Sequence, residues 1–463
     1  MRFTKKNKFL LILLSVLLGL TACGTPAGKD GDTEMIHVNN PQAPDDSQNP
    51  TASQTSDDSQ NPAGSQTSDD SQNPTASQNP DNSNESSSGN QPGPSVPELA
   101  VGEFALPESE ALDFVHNLTL GWNLGNTLDA IDCTWLNDEM AYESAWSGQM
   151  TTKEHITAIK NAGFRSIRIP VSWHNHISDS ADYTISQPWL DRVNEIVDYC
   201  IDQDMYVIIN IHHDNSKEFM YPTSQDLDRS VRYVTAIWRQ VSERFRDYDE
   251  HLIFESLNEP RLVGHPNEWW IDPDSADCKD AIQCINRMNQ AFADTVRASG
   301  GNNKARYLMC PGYAASPEGA LNDGFVLPKD SAGNDHRIIV SAHAYTPYNF
   351  ALEYPGTSSW SSANKTDVNN MLGFMDNLYN KFTSQGIPVI IGEFGAREKN
   401  GNLSARVDFA SFYVAAARAR GMTCFWWDNN CFEGDGERFG LFDRASGQIR
   451  YPEISRAMVN YAK

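Results

Sequence analysis

Two glutamates stand where this sequence would otherwise end a buried strand. Glu259 follows the apolar run "LIFESL" (252–257), between Asn258 and Pro260, and Glu393 closes the run "PVIIGE" (388–393). Taken singly, each fits a loop cap or a surface acid equally well. Taken together they suit acid/base and nucleophilic work at an acetal. One carboxyl protonates the departing oxygen while the other attacks the anomeric carbon, and retention needs the two about 5–5.5 Å apart.

Their neighbours have the types this chemistry calls for. Asn258 can donate to a sugar 2-hydroxyl, a contact that strengthens as the oxocarbenium ion forms. Arg168 and Tyr345 are expected to hold Glu393 ionised, since a cation or a hydroxyl donor lowers a carboxylate pKa. The acid must keep its proton, and the charge of Glu393 is expected to help Glu259 do so. His212 and His343 are candidates to orient these groups by hydrogen bonds. Trp427 offers an indole face on which the C–H face of a sugar can stack.

No metal and no cofactor is expected. In "HHD" (212–214) the neighbouring histidines should point to opposite faces of a strand, which places them badly for one ion. "DPDSAD" (272–277) has closely spaced acids but lacks the full calcium-loop pattern. The cysteines and histidines have no zinc spacing.

The elements that must position these residues are eight short apolar runs, each followed by a polar stretch, several with helical periodicity. They are 118–124, 165–171, 205–211, 252–257, 306–311, 337–342, 388–393 and 423–427. Helices are expected at 151–163, ended by Gly163, and at 187–203. Alternating β and α units imply a parallel sheet with covered faces, and eight of them point to a (β/α)8 TIM barrel. No Gly-rich dinucleotide fingerprint follows the first run, which counts against the doubly wound alternative. A barrel requires its working residues to follow the strands, as Asn123, Arg168, His212, Asn258, Glu259, His343, Tyr345, Glu393 and Trp427 do.

The 463-residue chain divides into three parts. Residues 1–23 have a cationic start and the apolar stretch "FLLILLSVLLGL", a lipoprotein signal peptide in which "LTAC" makes Cys23 the lipidated residue. Residues 24–100 carry a twelve-residue repeat beginning "DDSQNP" at 45, 57 and 69, and hold few large apolar residues. Such a segment cannot offset its ordering entropy and should be a disordered linker. Residues 101–463 form the catalytic domain. A formal charge of −25 argues against a nucleic-acid footprint and suits a neutral or cationic ligand. Of eight cysteines, seven remain after Cys23, and Cys278–Cys284 or Cys424–Cys431 are possible pairs in an exported protein. A monomer is expected, extracytoplasmic and lipid-anchored at a bacterial cell envelope.

The motifs "GWNLGNTLD" (121–129), "IRIPVSW" (167–173), "NIHHD" (210–214), "LNEPR" (257–261), "HAYTPY" (343–348), "GEFG" (392–395) and "FWWDN" (425–429) together resemble glycoside hydrolase family 5, the cellulase family, most closely its subfamily 4. The resemblance implies retaining cleavage with Glu259 as acid/base and Glu393 as nucleophile. It implies Arg168, His212, Asn258, His343, Tyr345 and Trp427 as the remaining active-site set. Asn123 and His213 would be glycone-side sugar contacts, with Trp426 a further substrate contact beside Trp427. The expected activity is endo-cleavage of a β-1,4-glucan: cellulose, mixed-linkage glucan or xyloglucan. An endo-β-mannanase, a xyloglucan-specific hydrolase and a non-catalytic glycan-binding lipoprotein are the alternatives.

Overall fold

A computed structural model describes residues 94–434 and 436–463. The signal peptide, Cys23 and the twelve-residue repeats lie outside the described residues. Eight strands close into a barrel: β1 (Gly121–Leu124), β2 (Ser166–Ile169), β3 (Tyr206–Asn210), β4 (Leu252–Glu255), β5 (Leu308–Pro311), β6 (Ile338–His343), β7 (Val389–Phe394) and β8 (Met422–Asp428). Each pairs in parallel with its sequence neighbours, and β8 pairs with β1. Every run expected to be a strand is one.

A helix follows each strand. These are α1 (Lys153–Asn161), α2 (Gln187–Ile201), α3 (Leu227–Arg244), α4 (Ala276–Ala298), α5 (Pro317–Leu321), α6 (Lys365–Lys381), α7 (Leu403–Ala419) and α8 (Pro452–Ala462). Thr152 caps α1 in a reciprocal capping box with His155, and Gly163 ends it with φ +103°. Among the described residues no helix is long and apolar enough to cross a membrane.

Strand alternation sorts the side chains into two cores. Trp122, Ile167, Val207, Phe254, Leu308, Val340, Ile391, Phe394 and Trp426 join the large cluster between barrel and helices. Ile208, Ile253, Met309, Ile339, Ile390 and Phe425 form a separate cluster that packs against Phe114 and Val115 of the helix Glu110–Asn117. This second cluster is an apolar floor within the barrel. One step nearer the strand C-termini the same alternation brings Asn123, Arg168, Asn210, Glu255 and Ser341 inward, so polar groups sit on that floor.

Strand β7 breaks the alternation. Val340, Ser341 and Ala342 pair with Val389, Ile390 and Ile391, but His343 pairs with Glu393, which leaves Gly392 extra. Regular alternation from inward Ile390 would turn Glu393 outward. The one-residue bulge turns it inward beside His343. Gly392 permits this because a Cβ there would lie 3.1 Å from His343 Nε2 and 3.3 Å from the Met309 methyl.

Two expectations are corrected. The folded domain starts before residue 101: Val96 and Leu99 pack on the large core, and the Leu99 N–H donates to the Tyr461 hydroxyl at 3.1 Å. Among the described residues neither of the two possible disulfide pairs forms. Cys278 and Cys284 are free buried thiols on α4, and Cys424 is a free buried thiol on β8.

Candidate active site

Arg168 is the centre of the site. Its Nε donates to Glu255 Oε2 at 2.7 Å, and Nη1 donates to Glu393 Oε1 at 2.8 Å and Asn123 Oδ1 at 3.0 Å. Its Nη2 donates to Asn258 Oδ1 at 2.7 Å. The guanidinium thus ties together the ends of β1, β2, β4 and β7, with no exposure to solvent. Glu255 also accepts from Ser341 Oγ (2.7 Å) and Asn210 Nδ2 (3.0 Å). Burial alone would raise its pKa, but Arg168, His343 and these donors hold it at about 2. Glu255 is therefore the permanent counter-ion of Arg168.

Sequence reasoning missed Glu255. The available signal was an acid two positions after Ile253, on the inward face of an otherwise apolar run.

Above this layer, Glu259, His343 and Glu393 converge, with one oxygen or ring nitrogen from each within 4.8 Å of the others. So close an approach of the two carboxyls suits a retaining pair, at about 5–5.5 Å, and not the wider gap of about 6.5–9.5 Å that an inverting pair needs. His343 Nδ1 is 3.0 Å from Glu259 Oε1 and 3.6 Å from Glu393 Oε1. Glu393 has both oxygens engaged, Oε1 by Arg168 and Oε2 by the Tyr345 hydroxyl at 2.9 Å.

Electrostatics here differ from the sequence expectation. Burial would lower the His343 pKa, but Glu393, Glu255 and Glu259 raise it to about 9, so the ring is an imidazolium at neutral pH. At Glu259 burial would raise the pKa, yet the His343 hydrogen bond and charge outweigh it and hold the carboxyl low. At Glu393 burial raises the pKa, opposed by His343 and Arg168 and reinforced by the Glu259 charge. The proton expected on Glu259 is therefore held by His343. The two carboxyls titrate as a pair.

His212 is neutral, its pKa driven far down by burial and by neighbouring cations. Asn210 accepts from the Val171 N–H (3.1 Å) and donates Nδ2 to Glu255, which fixes its amide orientation. The same Nδ2 donates to His212 Nδ1 at 3.1 Å. The proton of His212 is thus on Nε2.

Rings of His212 and His213 do converge, with centroids 4.3 Å apart, and with Asp129 they form a second close cluster. The expected divergence fails because both residues lie beyond the last residue of β3. A protonated Nε2 nevertheless suits a hydroxyl acceptor better than a cation.

Trp427 is inward, its ring parallel to His212 at 5.9 Å. It closes over Gly125, where a Cβ would lie 2.8 Å from the indole. Asn258 uses its carbonyl oxygen on Arg168, which leaves its amide nitrogen as the remaining donor. His213 is half-buried near Asp129 Oδ2 (4.0 Å) and Trp146 (5.9 Å).

Two expected sugar contacts are overturned. Asn123 has no exposed surface and spends its amide on the carbonyls of Gly392 and Trp426, and its oxygen on Arg168. Trp426 is equally buried. It faces outward against Phe394 and donates Nε1 to the Phe439 carbonyl. Of the other tryptophans, Trp122, Trp173 and Trp360 are core, whereas Trp135 and Trp270 are 64% and 62% exposed.

Residues 130–433 match the family described as Cellulase (glycosyl hydrolase family 5). The chain belongs to glycosyl hydrolase family 5. This family 5 chain is 54% identical to a solved GH5 family lichenase from Caldicellulosiruptor sp. F32, covering 80% of this chain and 100% of that one, with TM-score 0.79. It is 44% identical to a GH5-4 broad specificity endoglucanase from Ruminococcus champanellensis, covering 77% and 100%, with TM-score 0.70. It is also 44% identical over 354 residues to Cellulase/esterase CelE of Acetivibrio thermocellus, spanning 76% of this chain but 40% of that longer protein.

Proposed function

We propose that this family 5 chain is an endo-acting, retaining β-1,4-glucanase, with Glu393 as nucleophile and Glu259 as acid/base. The observation that carries the mechanism is the close approach of these carboxyls, with Arg168 and Tyr345 bonded to Glu393. The descriptions of the similar proteins, a lichenase and a broad specificity endoglucanase, support a β-glucan as the chain cleaved.

In the first step the Glu393 carboxylate attacks the anomeric carbon while Glu259 protonates the glycosidic oxygen. The proton reaches Glu259 from His343 across their 3.0 Å hydrogen bond. That transfer removes both the His343 charge that lowers the Glu393 pKa and the Glu259 charge that raises it, so Arg168 and Tyr345 are left to hold the nucleophile ionised. Burial and the nearby carboxylates keep Tyr345 a neutral phenol and hence a donor. In the second step Glu259, now a base, takes a proton from water as it attacks the glycosyl–Glu393 ester. Asn258 Nδ2 faces the sugar 2-hydroxyl, and Trp427 supplies the stacking floor.

Reducing-sugar release from cellulose derivative, mixed-linkage glucan, xyloglucan, mannan and xylan tests this. Hydrolysis of glucans is expected. Activity confined to mannan or xylan overturns the substrate, and no activity on any glycan favours a binding protein. We also propose attachment through lipidated Cys23 at a bacterial envelope, supported by "LTAC" behind an apolar segment. Detergent-dependent extraction, lost in Cys23→Ala, is the expected result.

A further inference from the structure

The segment after β8 is strapped back over the barrel mouth. Asp428 Oδ2 accepts from the backbone N–H groups of Leu441 (3.0 Å) and Phe442 (2.8 Å). The Asn429 amide donates to the Glu437 carbonyl, and Arg397 donates to the Gly436 carbonyl at 2.9 Å. The Phe439 ring sits 5.4 Å from that of Tyr345, whose hydroxyl is on Glu393. A Cβ at Gly395, just past β7, would touch Phe439 at 3.0 Å.

These ties hold Glu437 over the ends of β6, β7 and β8, and none of them uses its carboxylate. The side chain is half-buried, yet it has no hydrogen bond or ion pair among the described residues. It interacts electrostatically with Glu259 and Glu393, with Tyr345 and Tyr348, and with Arg397 beyond ion-pair distance. Burial and the two glutamates raise its pKa against Arg397.

A half-buried carboxylate with no donor beside it among the described residues is only partly hydrated, which costs the fold free energy. The backbone ties already hold the loop, so the group is not required there for folding. It is an acceptor carried on a loop tied beside Tyr345 and the ends of β7 and β8, where the proposed ligand is rich in hydroxyl donors. We propose that Glu437 is a specificity-determining residue whose carboxylate accepts hydrogen bonds from hydroxyls of the sugar seated beside Glu393 and repels anionic substituents on that sugar. The inference rests on the glucanase reading.

The test compares wild type, Glu437→Ala and Glu437→Gln in the full chain, on mixed-linkage glucan and on carboxymethylcellulose, with thermal melting alongside. Glu437→Ala should lose about tenfold in kcat/KM on the neutral glucan, the scale of one charged hydrogen bond, without a lower melting temperature. Glu437→Gln keeps an acceptor oxygen but no charge. It should lose less on the neutral glucan and should raise the ratio of carboxymethylcellulose to glucan activity severalfold. The proposal is overturned if both variants stay within about twofold of wild type on both polymers. It is equally overturned if both polymers lose activity in parallel with a lowered melting temperature, which marks a structural role. A wild-type protein inert on both polymers overturns the glucanase reading, and this inference with it.

Discussion

Glu259 and Glu393 lie close enough that the Glu259 charge raises the Glu393 pKa, and His343 lies within 3.6 Å of both carboxyls. Replacing Glu259 by Gln should lower kcat on unactivated glucan by about 10²–10⁴-fold, the range of lost general acid catalysis. The loss should shrink on an aryl glycoside whose leaving group needs no proton, and equal losses on both substrates would contradict the acid role. His343 makes a separate prediction through pH. Its folded pKa, about 9, lies above the ordinary 6.5, so its stabilising contribution is complete below pH 6.5 and lost as pH rises towards 9. Denaturation midpoints should therefore fall over that window in wild type and fall less in His343→Gln. Loss of the imidazolium should also lower kcat at the alkaline end.

The strands act on the site through Arg168 and the β7 bulge. Arg168 and Glu255 are both fully buried and joined at 2.7 Å. Arg168→Leu strands Glu255 and Glu393 without their cation, and should destabilise the fold by about 3–5 kcal/mol in denaturant titration. Little change there would mean that water enters the site and replaces the cation. Gly392→Ala tests the bulge: a new Cβ 3.1 Å from His343 Nε2 must displace that ring. Activity is expected to fall further than stability, because the ring bridges the two carboxyls; an unchanged kcat would show that the ring has room to move. Strand positions were legible because apolar runs alternate with helical stretches. The direction of Glu393 was not, because one inserted residue reverses every facing after it and leaves no local signature.

At the scale of the whole chain, the barrel needs part of the segment read as linker. Among the described residues Val96 and Leu99 are the first apolar ones that pack on the core, and Leu99 bonds Tyr461 near the end of α8. A truncation starting at residue 94 should match the full chain in melting temperature and kcat. One starting at 102 should melt several degrees lower, about the effect of a lost kilocalorie or two in a domain of this size. Equal melting of the two truncations would show that this docking contributes nothing. An acidic surface, −25 over the chain, suits a neutral polymer and agrees with a cleft in which Glu437 adds a third carboxylate.

Sequence alone determined the eight β/α units, the placement of Glu259, Glu393, Arg168, His343 and Tyr345 at or just past the C-terminal ends of strands, and the family they resemble. Strand length, side-chain period and turn chemistry are local properties, readable along the chain. Tertiary structure decided which of those residues reaches the barrel mouth and which only holds its neighbours. Asn123 and Trp426 look like ligands in a motif, yet closure of β1 against β8 buries one beneath Arg168 and turns the other towards the helices. Glu255, passed over in the run "LIFESL", becomes the counter-ion of the site because four strands converge on one guanidinium. Such contacts join residues 45 to 225 positions apart, and only closure of the barrel brings them together.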